Sequence, residues 1–432
     1  MMVRCLCTAA SLLALSAEVA AYPKDGYPET GIRRLEYVRL IEAGELSGRG
    51  LPWGATLNSD AVDIRFAGQD FAIPSPDEPL SEQLRMLLGD KADAYGLSLL
   101  DLSDPNDIVY AQHREDLRQN VGSVGKLVGA VGFFQALADA YPDDAAARHE
   151  LLYTTTIEAD RFSHSDHHTI RLFDVQNRTS ERRAMRDGDQ GNVYEYLDWA
   201  LSISSNSAAA MLMRDGMLLR GLGDQYPLPP EAVTPYFQSL SGKQRTELFQ
   251  ATFWEPVSRN GLSLAEIRQG SFFTREGKHI VNGGGRSYAT PKTLLELALR
   301  MEQGRLVDTW SSRLLKRLLY LTDRRIRYAS SPALADAAVY FKSGSLYSCA
   351  AEEGFKCGAY RGNVRNYMNS VAIIEDSSGE RPLHYIVTLI SNVLRENSAV
   401  AHQHLAGEIH RLIMARHAPA PADAGAVSDP GE

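Results

Sequence analysis

Ser123 and Lys126 stand three positions apart at the head of an apolar, glycine-bearing segment, Ser123-Val124-Gly125-Lys126. On a helix, positions i and i+3 share a face, so the lysine amine lies beside the serine hydroxyl. A serine hydroxyl becomes a nucleophile when a neighbouring base takes its proton. A lysine in a dry pocket or near other cations can lose its own proton and serve as that base. The helix N-terminus adds backbone N–H groups and positive potential near a developing oxyanion. Taken alone, S-x-x-K is a common spacing whose plain alternative is a solvated helix lysine. The apolar, glycine-rich surroundings argue against that alternative.

Two further groupings follow. Ser204-Ser205-Asn206 offers a hydroxyl and an amide between two helices. On its own it reads better as the N-cap of the helix beginning near Asn206. Lys342-Ser343-Gly344-Ser345 lies on an apolar, strand-like run. Its cation and hydroxyls suit a substrate carboxylate, and glycine lets a substrate lie along the strand backbone; an exposed strand lysine is the alternative. In this order, S-x-x-K, S-x-N and K-[ST]-G form the signature of class A β-lactamases and penicillin-binding proteins. The sequence resembles that serine β-lactamase and penicillin-binding superfamily, the class A β-lactamases most of all, over roughly residues 80–412. Ser287-Tyr288-Ala289-Thr290-Pro291 is similar to the family's Thr-Pro helix start, and residues 383–391 to its last strand.

The resemblance implies an α/β fold of the α+β type: an antiparallel sheet flanked by helices, an inserted all-helical lobe, and an active site between them. It implies Ser123 as the acylated nucleophile and Lys126 as its base or part of a proton relay. Ser204 would pass a proton to the leaving nitrogen. Asn206 would contact substrate or Lys126. Lys342, Ser343, Gly344 and Ser345 would bind the carboxylate side, with the N–H groups of Ser123 and Ser345 as the oxyanion hole. The ligand would be a small-molecule β-lactam or a peptidoglycan peptide, handled without cofactor or metal. The activity implied is hydrolysis of a β-lactam or related amide through a serine acyl-enzyme. The alternatives are a D-alanyl-D-alanine peptidase and a penicillin-binding or sensor module without turnover.

Three departures from the family pattern bear on that activity. Ser205 stands where the family often has aspartate, and Ser343 where it commonly has threonine. The stretch between Asn206 and Thr290 is longer than usual and holds no Glu-x-x-Leu-Asn, the motif that supplies a deacylating glutamate. Glu247, Glu255 and Glu276 are candidates by location only, Glu276 being the best placed; each reads more readily as a surface residue. His164, Asp166, His167 and His168 could in principle hold zinc. Their spacing matches no metal motif, and they read as a polar loop.

The elements that must carry these groups are legible as patterns. Val124, Leu127, Val128, Val131, Phe134 and Leu137 recur at helical spacing. Gly125, Gly129 and Gly132 interrupt them at roughly 1 kcal/mol each relative to alanine, which predicts a buried helix closely packed against other backbone. Residues 32–43, 80–88, 193–201, 208–219, 290–303, 311–321 and 399–415 also read as helices. Residues 57–66 read as a short strand pair, and 95–102, 108–112, 338–346, 369–375 and 385–391 as strands. Strands, then helices, then strands predict one sheet assembled from both ends of the chain.

The 432 residues suit one large domain or two coupled ones. Hydrophobic residues are 44% and charged residues 23%, the net charge is −9, and no dense Lys/Arg run supports nucleic-acid binding. Residues 1–21 read as an export signal with Arg4, a short apolar core and Val19-Ala20-Ala21, too short to span a bilayer comfortably. Cys5 and Cys7 lie inside it. The expected location is therefore periplasmic or secreted, with no stable membrane insertion after cleavage. Cys349 and Cys357 remain, an even pair that favours a disulfide in an oxidising compartment. The expected organisation is a 22–78 extension, a catalytic domain over 79–417 with its helical lobe at about 121–289, and a disordered tail over 418–432.

Overall fold

The computed structural model describes residues 23–48, 54, 56–323 and 325–419. The expected export signal, residues 1–21, and nearly all of the expected tail fall outside the described residues. The centre is a five-stranded antiparallel sheet of β1 (Tyr95–Asp101), β2 (Val109–His113), β3 (Ala338–Ser348), β4 (Arg365–Asp376) and β5 (Leu383–Asn392), in the order β2-β1-β5-β4-β3. The first two strands come from one end of the chain and the last three from the other, as the strand–helix–strand order predicts. Register is fixed by pairs such as Leu99↔Val387 and Lys342↔Val371.

Both faces of the sheet are covered, which is why its strands are apolar on both sides. Val371, Ile373, Ile386 and Ile390 face the core shared with the helical lobe. Ala372, Ile374, Val387 and Leu389 face the helices Glu78–Leu88 and Ser398–Arg416. The lobe is built around Lys126–Ala140, buried from Lys126 to Leu137, packed on Asn206–Leu222. Gly132 shows why glycine is needed: a Cβ there would lie 2.4 Å from the carbonyl of Thr252. The lobe also carries two small antiparallel pairs absent from the sequence reading, Thr156–Glu158 with Gln190–Asn192 and Thr169–Asp174 with Thr179–Ala184.

The described part of the 22–78 extension is packed into the main core through Ile32, Leu35, Val62 and Phe66. Its helix, Arg33–Glu42, matches the expected one. The expected strand pair over 57–66 does not form. Leu57 makes a single bridge with Pro23, Ser59–Ala61 is a 3₁₀ turn, and backbone donors are met by side chains of the extension, as at Ser59 and Ile64, or by the body of the protein. The N–H of Leu57 donates to Tyr320 Oη (2.8 Å) and that of Phe66 to the Glu302 carbonyl (3.0 Å). A segment whose donors are satisfied this way has no need of a ladder partner.

Arg34 is 1% exposed and holds the extension in place. It donates to both carboxylate oxygens of Asp198 (2.5 and 2.6 Å), to Ser202 Oγ (3.1 Å) and to the Leu321 carbonyl (2.7 Å). It thereby ties the helix Val193–Leu201 to the segment that follows the helix Thr309–Tyr320. No helix among the described residues is long and apolar enough to cross a membrane. Cys349 and Cys357 are joined by a disulfide, as expected, with Cα atoms 6.1 Å apart.

Candidate active site

The three groupings meet where the lobe faces β3. Ser123 lies in a one-turn 3₁₀ helix, Gly122–Gly125, that runs into the helix beginning at Lys126. The edge of β3 presses against this turn. A Cβ on Gly344 would lie 2.0 Å from the Val121 carbonyl and 2.7 Å from the N–H nitrogen of Ser123. Gly344 is therefore required by contact between the strand and the Ser123 turn, where the sequence suggested room for a ligand.

Lys126 is 2% exposed. Its Nζ is 3.0 Å from Ser123 Oγ, 2.8 Å from Asn206 Oδ1, 2.6 Å from the Ser204 carbonyl and 3.3 Å from Ser204 Oγ. Burial depresses its pKa to about 7, against a smaller opposing effect of the Asp166 carboxylate. Lys342, also buried, donates to Ser204 Oγ (2.8 Å) and to the Ser343 carbonyl (3.1 Å). Its pKa is driven well down by burial first, then by the neighbouring charges of Lys126 and Arg327. Ser204 thus sits between two lysines. Its φ of +67° is uncommon for a residue with a side chain, and such conformations cost on the order of 1–3 kcal/mol. That twist lets its carbonyl and its hydroxyl both face Lys126. Ser205, the next residue, is the cap: its Oγ accepts from the N–H of Ala208 (3.1 Å). The cap and the site contact are therefore adjacent residues, not competing readings of one.

Ser123, Ser204, Asn206, Ser343, Gly344 and Ser345 all border one cavity of about 630 Å³. Its rim includes Tyr347 and Tyr360, the latter just beyond the disulfide-closed loop. No aspartate or glutamate is among the described residues that line it. Glu276 is not brought to the cavity; it pairs with Arg161 at 3.4 Å. Glu255 pairs with Arg220, and Glu247 lies near Lys243. The region before Thr290 presents Gln269 and Phe273 instead, the Phe273 ring centroid lying 5.0 Å from Lys126 Nζ.

Two contributors were not identified from the sequence. Arg327 donates to Ser343 Oγ (2.8 Å) and Ser345 Oγ (3.1 Å), placing a guanidinium beside the Lys342 strand. No local motif surrounds it, so no signal marked it. Asp166 belongs to the loop read as merely polar. Its side chain is 2% exposed, and its Oδ2 accepts from the N–H groups of Asn206 (2.7 Å) and Ser207 (3.0 Å) and from Ser205 Oγ (3.0 Å). His167 and His168 border the cavity. Asp166 Oδ1 accepts from the N–H groups of both and contacts His168 Nδ1 at 2.6 Å.

No family model matches the chain, and no curated protein does. Solved structures to which it is similar include β-lactamases and PBP-A. One is a class A β-lactamase representative from Bacteroides cellulosilyticus, 16% identical, with a TM-score of 0.48 over 79% of this chain and 97% of that one. Another is a class A β-lactamase from Mycobacterium abscessus, 17% identical, TM-score 0.45, over 78% and 98%. A third is an acyl-enzyme complex of a PBP-A mutant with penicillin G, 13% identical, TM-score 0.47, over 79% and 98%.

Proposed function

We propose that this protein is a serine acyl-transfer enzyme in which Ser123 opens a β-lactam or related amide and forms an acyl-enzyme. The observation that carries the reading is Lys126 Nζ, buried, 3.0 Å from Ser123 Oγ and with a pKa brought down to about 7. A neutral amine has two N–H donors and one lone pair. The Ser204 carbonyl and Asn206 Oδ1 take the two donors at the shortest distances. The lone pair is left for the Ser123 hydroxyl.

The acylation step balances on these groups. Ser123 Oγ bonds to the carbonyl carbon while its proton passes to Lys126 Nζ. The N–H groups of Ser123 and Ser345 receive the developing oxyanion. As the C–N bond breaks, Ser204 gives its proton to the departing nitrogen and recovers one from Lys126, whose Nζ lies 3.3 Å from Ser204 Oγ. Lys342 holds the Ser204 hydroxyl in line. An anionic substrate group meets Arg327, Lys342, Ser343 and Ser345, and its charge would favour the protonated form of Lys342 that burial and the neighbouring cations disfavour.

Release of the acyl group needs an activated water, and a positioned base contributes roughly 10²–10⁴-fold. With no carboxylate among the described residues that border the cavity, deacylation is the slow step. That favours a D-alanyl-D-alanine-peptidase-like or penicillin-binding role over efficient β-lactam destruction. In that setting the protein acts outside the cytoplasm on peptidoglycan peptides. Mass spectrometry of the protein with benzylpenicillin over time tests this. An adduct of penicillin mass that forms, persists and is absent from a folded Ser123→Ala variant is expected. Equal adduct formation by that variant, or no adduct on the wild type, would refute the reading. A burst equal to enzyme concentration followed by slow turnover is expected in stopped flow, little changed by Glu276→Gln.

A further inference from the structure

We infer that Asp166 is a positioning residue for this site, supplying from a separate loop the carboxylate that fixes the Ser204-Ser205-Asn206 turn and sets the charge balance around Lys126. The inference rests on the acyl-transfer reading above.

Asp166 is bonded as an anchor. Its carboxylate receives the Ser205 hydroxyl and two N–H groups of the first turn of Asn206–Leu222, where a negative charge is favoured by the helix dipole. Those two N–H groups have no partner within the helix, so Asp166 satisfies donors that would otherwise be buried and unpaired. The loop is held in turn by the N–H groups of His167 and His168 and by the contact to His168 Nδ1. The Ser207 hydroxyl also donates to the Ser163 carbonyl. The pinned turn is the one that aims the Ser204 carbonyl and Asn206 Oδ1 at Lys126. Serine at position 205 is thereby accommodated: the acidic group missing from the turn itself arrives across the contact.

The same carboxylate acts on Lys126 through charge. The titratable and charged groups around Lys126 are Lys342 on β3, itself flanked by Arg327, and Asp166 with His168 on the loop. The segment packed on its remaining side presents the uncharged Phe273 ring. Asp166 is thus the sole negative charge in that set. It stays ionised: burial opposes this, but His168 and the Ser207 N–H hold its carboxyl well below the usual range. It raises the pKa that burial lowers in Lys126. Removing its charge therefore favours neutral Lys126 at lower pH, while loosening the turn slows the chemistry.

The test compares wild type, Asp166→Asn and Asp166→Asn/Ser205→Asp. The rate of labelling by a fluorescent penicillin is measured from pH 5 to 9, and Lys126 is titrated by lysine-selective ¹³C NMR without ligand. Asp166→Asn is expected to slow labelling at pH 8 at least tenfold and to move the acidic limb of the profile to lower pH. The Lys126 titration should move the same way, and the double variant should recover most of both. A folded Asp166→Asn with unchanged rate and unchanged Lys126 titration would overturn the inference. So would a lost rate with the Lys126 titration and the Asn206 and Ser207 amide resonances unmoved, since the turn and charge would then not be its route of action. The NMR arm needs no reaction with penicillin. A wild type that never labels refutes the acyl-transfer reading alone.

Discussion

If Lys126 must be neutral to take the Ser123 proton, acylation follows its titration. The pKa of about 7 arises from burial. Holding an ammonium at this position costs about 5 kcal/mol relative to water, at 1.36 kcal/mol per tenfold change in the proton equilibrium. The sign is fixed by that cause: lowering pH protonates Lys126 and removes the base. About half of the molecules are competent at pH 7, roughly a tenth at pH 6 and about a hundredth at pH 5. Second-order acylation by benzylpenicillin should therefore fall close to tenfold per pH unit below 7 and level off above about 8. Lys126→Gln keeps a polar side chain of similar length but no base. Its acylation should drop about 10²–10⁴-fold and lose this limb. Rapid-quench mass spectrometry across pH 5–9 reads both. A wild-type rate that is flat from pH 5 to 8, or rises toward acid, would refute a neutral lysine base whatever the variant does.

Other parts of the fold give sharper stability outcomes. Arg34→Met leaves Asp198 buried without its cation, which typically costs about 3–5 kcal/mol in chemical denaturation. Arg34→Met/Asp198→Leu should recover most of that loss; no recovery would show that the pair's charge is not what fails. Gly344→Ala pushes a methyl into the Val121 carbonyl and the Ser123 turn, so it should abolish penicillin labelling while circular dichroism remains near native. Cys349→Ser/Cys357→Ser opens a short loop, removing about 2–3 kcal/mol if the loop is free in the unfolded chain. A melting temperature equal to that of the oxidised wild type would contradict that.

What could be read from the sequence was what short-range spacing encodes. Ser123 and Lys126 share a helix turn, and Lys342 to Ser345 share a strand, so each unit carries its geometry within four residues. The sheet was legible because both of its faces are covered and its strands are continuous apolar runs. Asp166 and Arg327 were not, because each acts on residues far along the chain, at 205–207 and 343–345, with no periodicity joining donor to acceptor. Asp166 stood among histidines whose composition suggested a metal or nothing. Its function depends on a helix N-terminus beginning 40 positions later. Residues 57–66 differ for the converse reason: the short strand pair expected there does not form, because donors such as the N–H groups of Leu57 and Phe66 find partners at Tyr320 and Glu302, far along the chain. Gly344 was located correctly but for a different physical cause, a close approach of backbone rather than space for a ligand.

The strand order also governs when the site can exist. β1 lies between β2 and β5, and Asp101 pairs with Tyr385 across most of the chain. At ordinary synthesis rates roughly 280 residues take on the order of 15–60 s to be made. Through that interval the two early strands form at most a hairpin, with β1 lacking its second neighbour. Contacts so distant in sequence put the loop-closure cost ahead of the reward, the arrangement that slows folding most. Ser123 and Lys126 can meet early, within one nascent helix. β3, with Lys342 and Ser345, joins the sheet through β4 and β5. A chain arrested before residue 383 would thus carry its nucleophile, its base and the β3–β4 pair without the strand that joins that pair to β1.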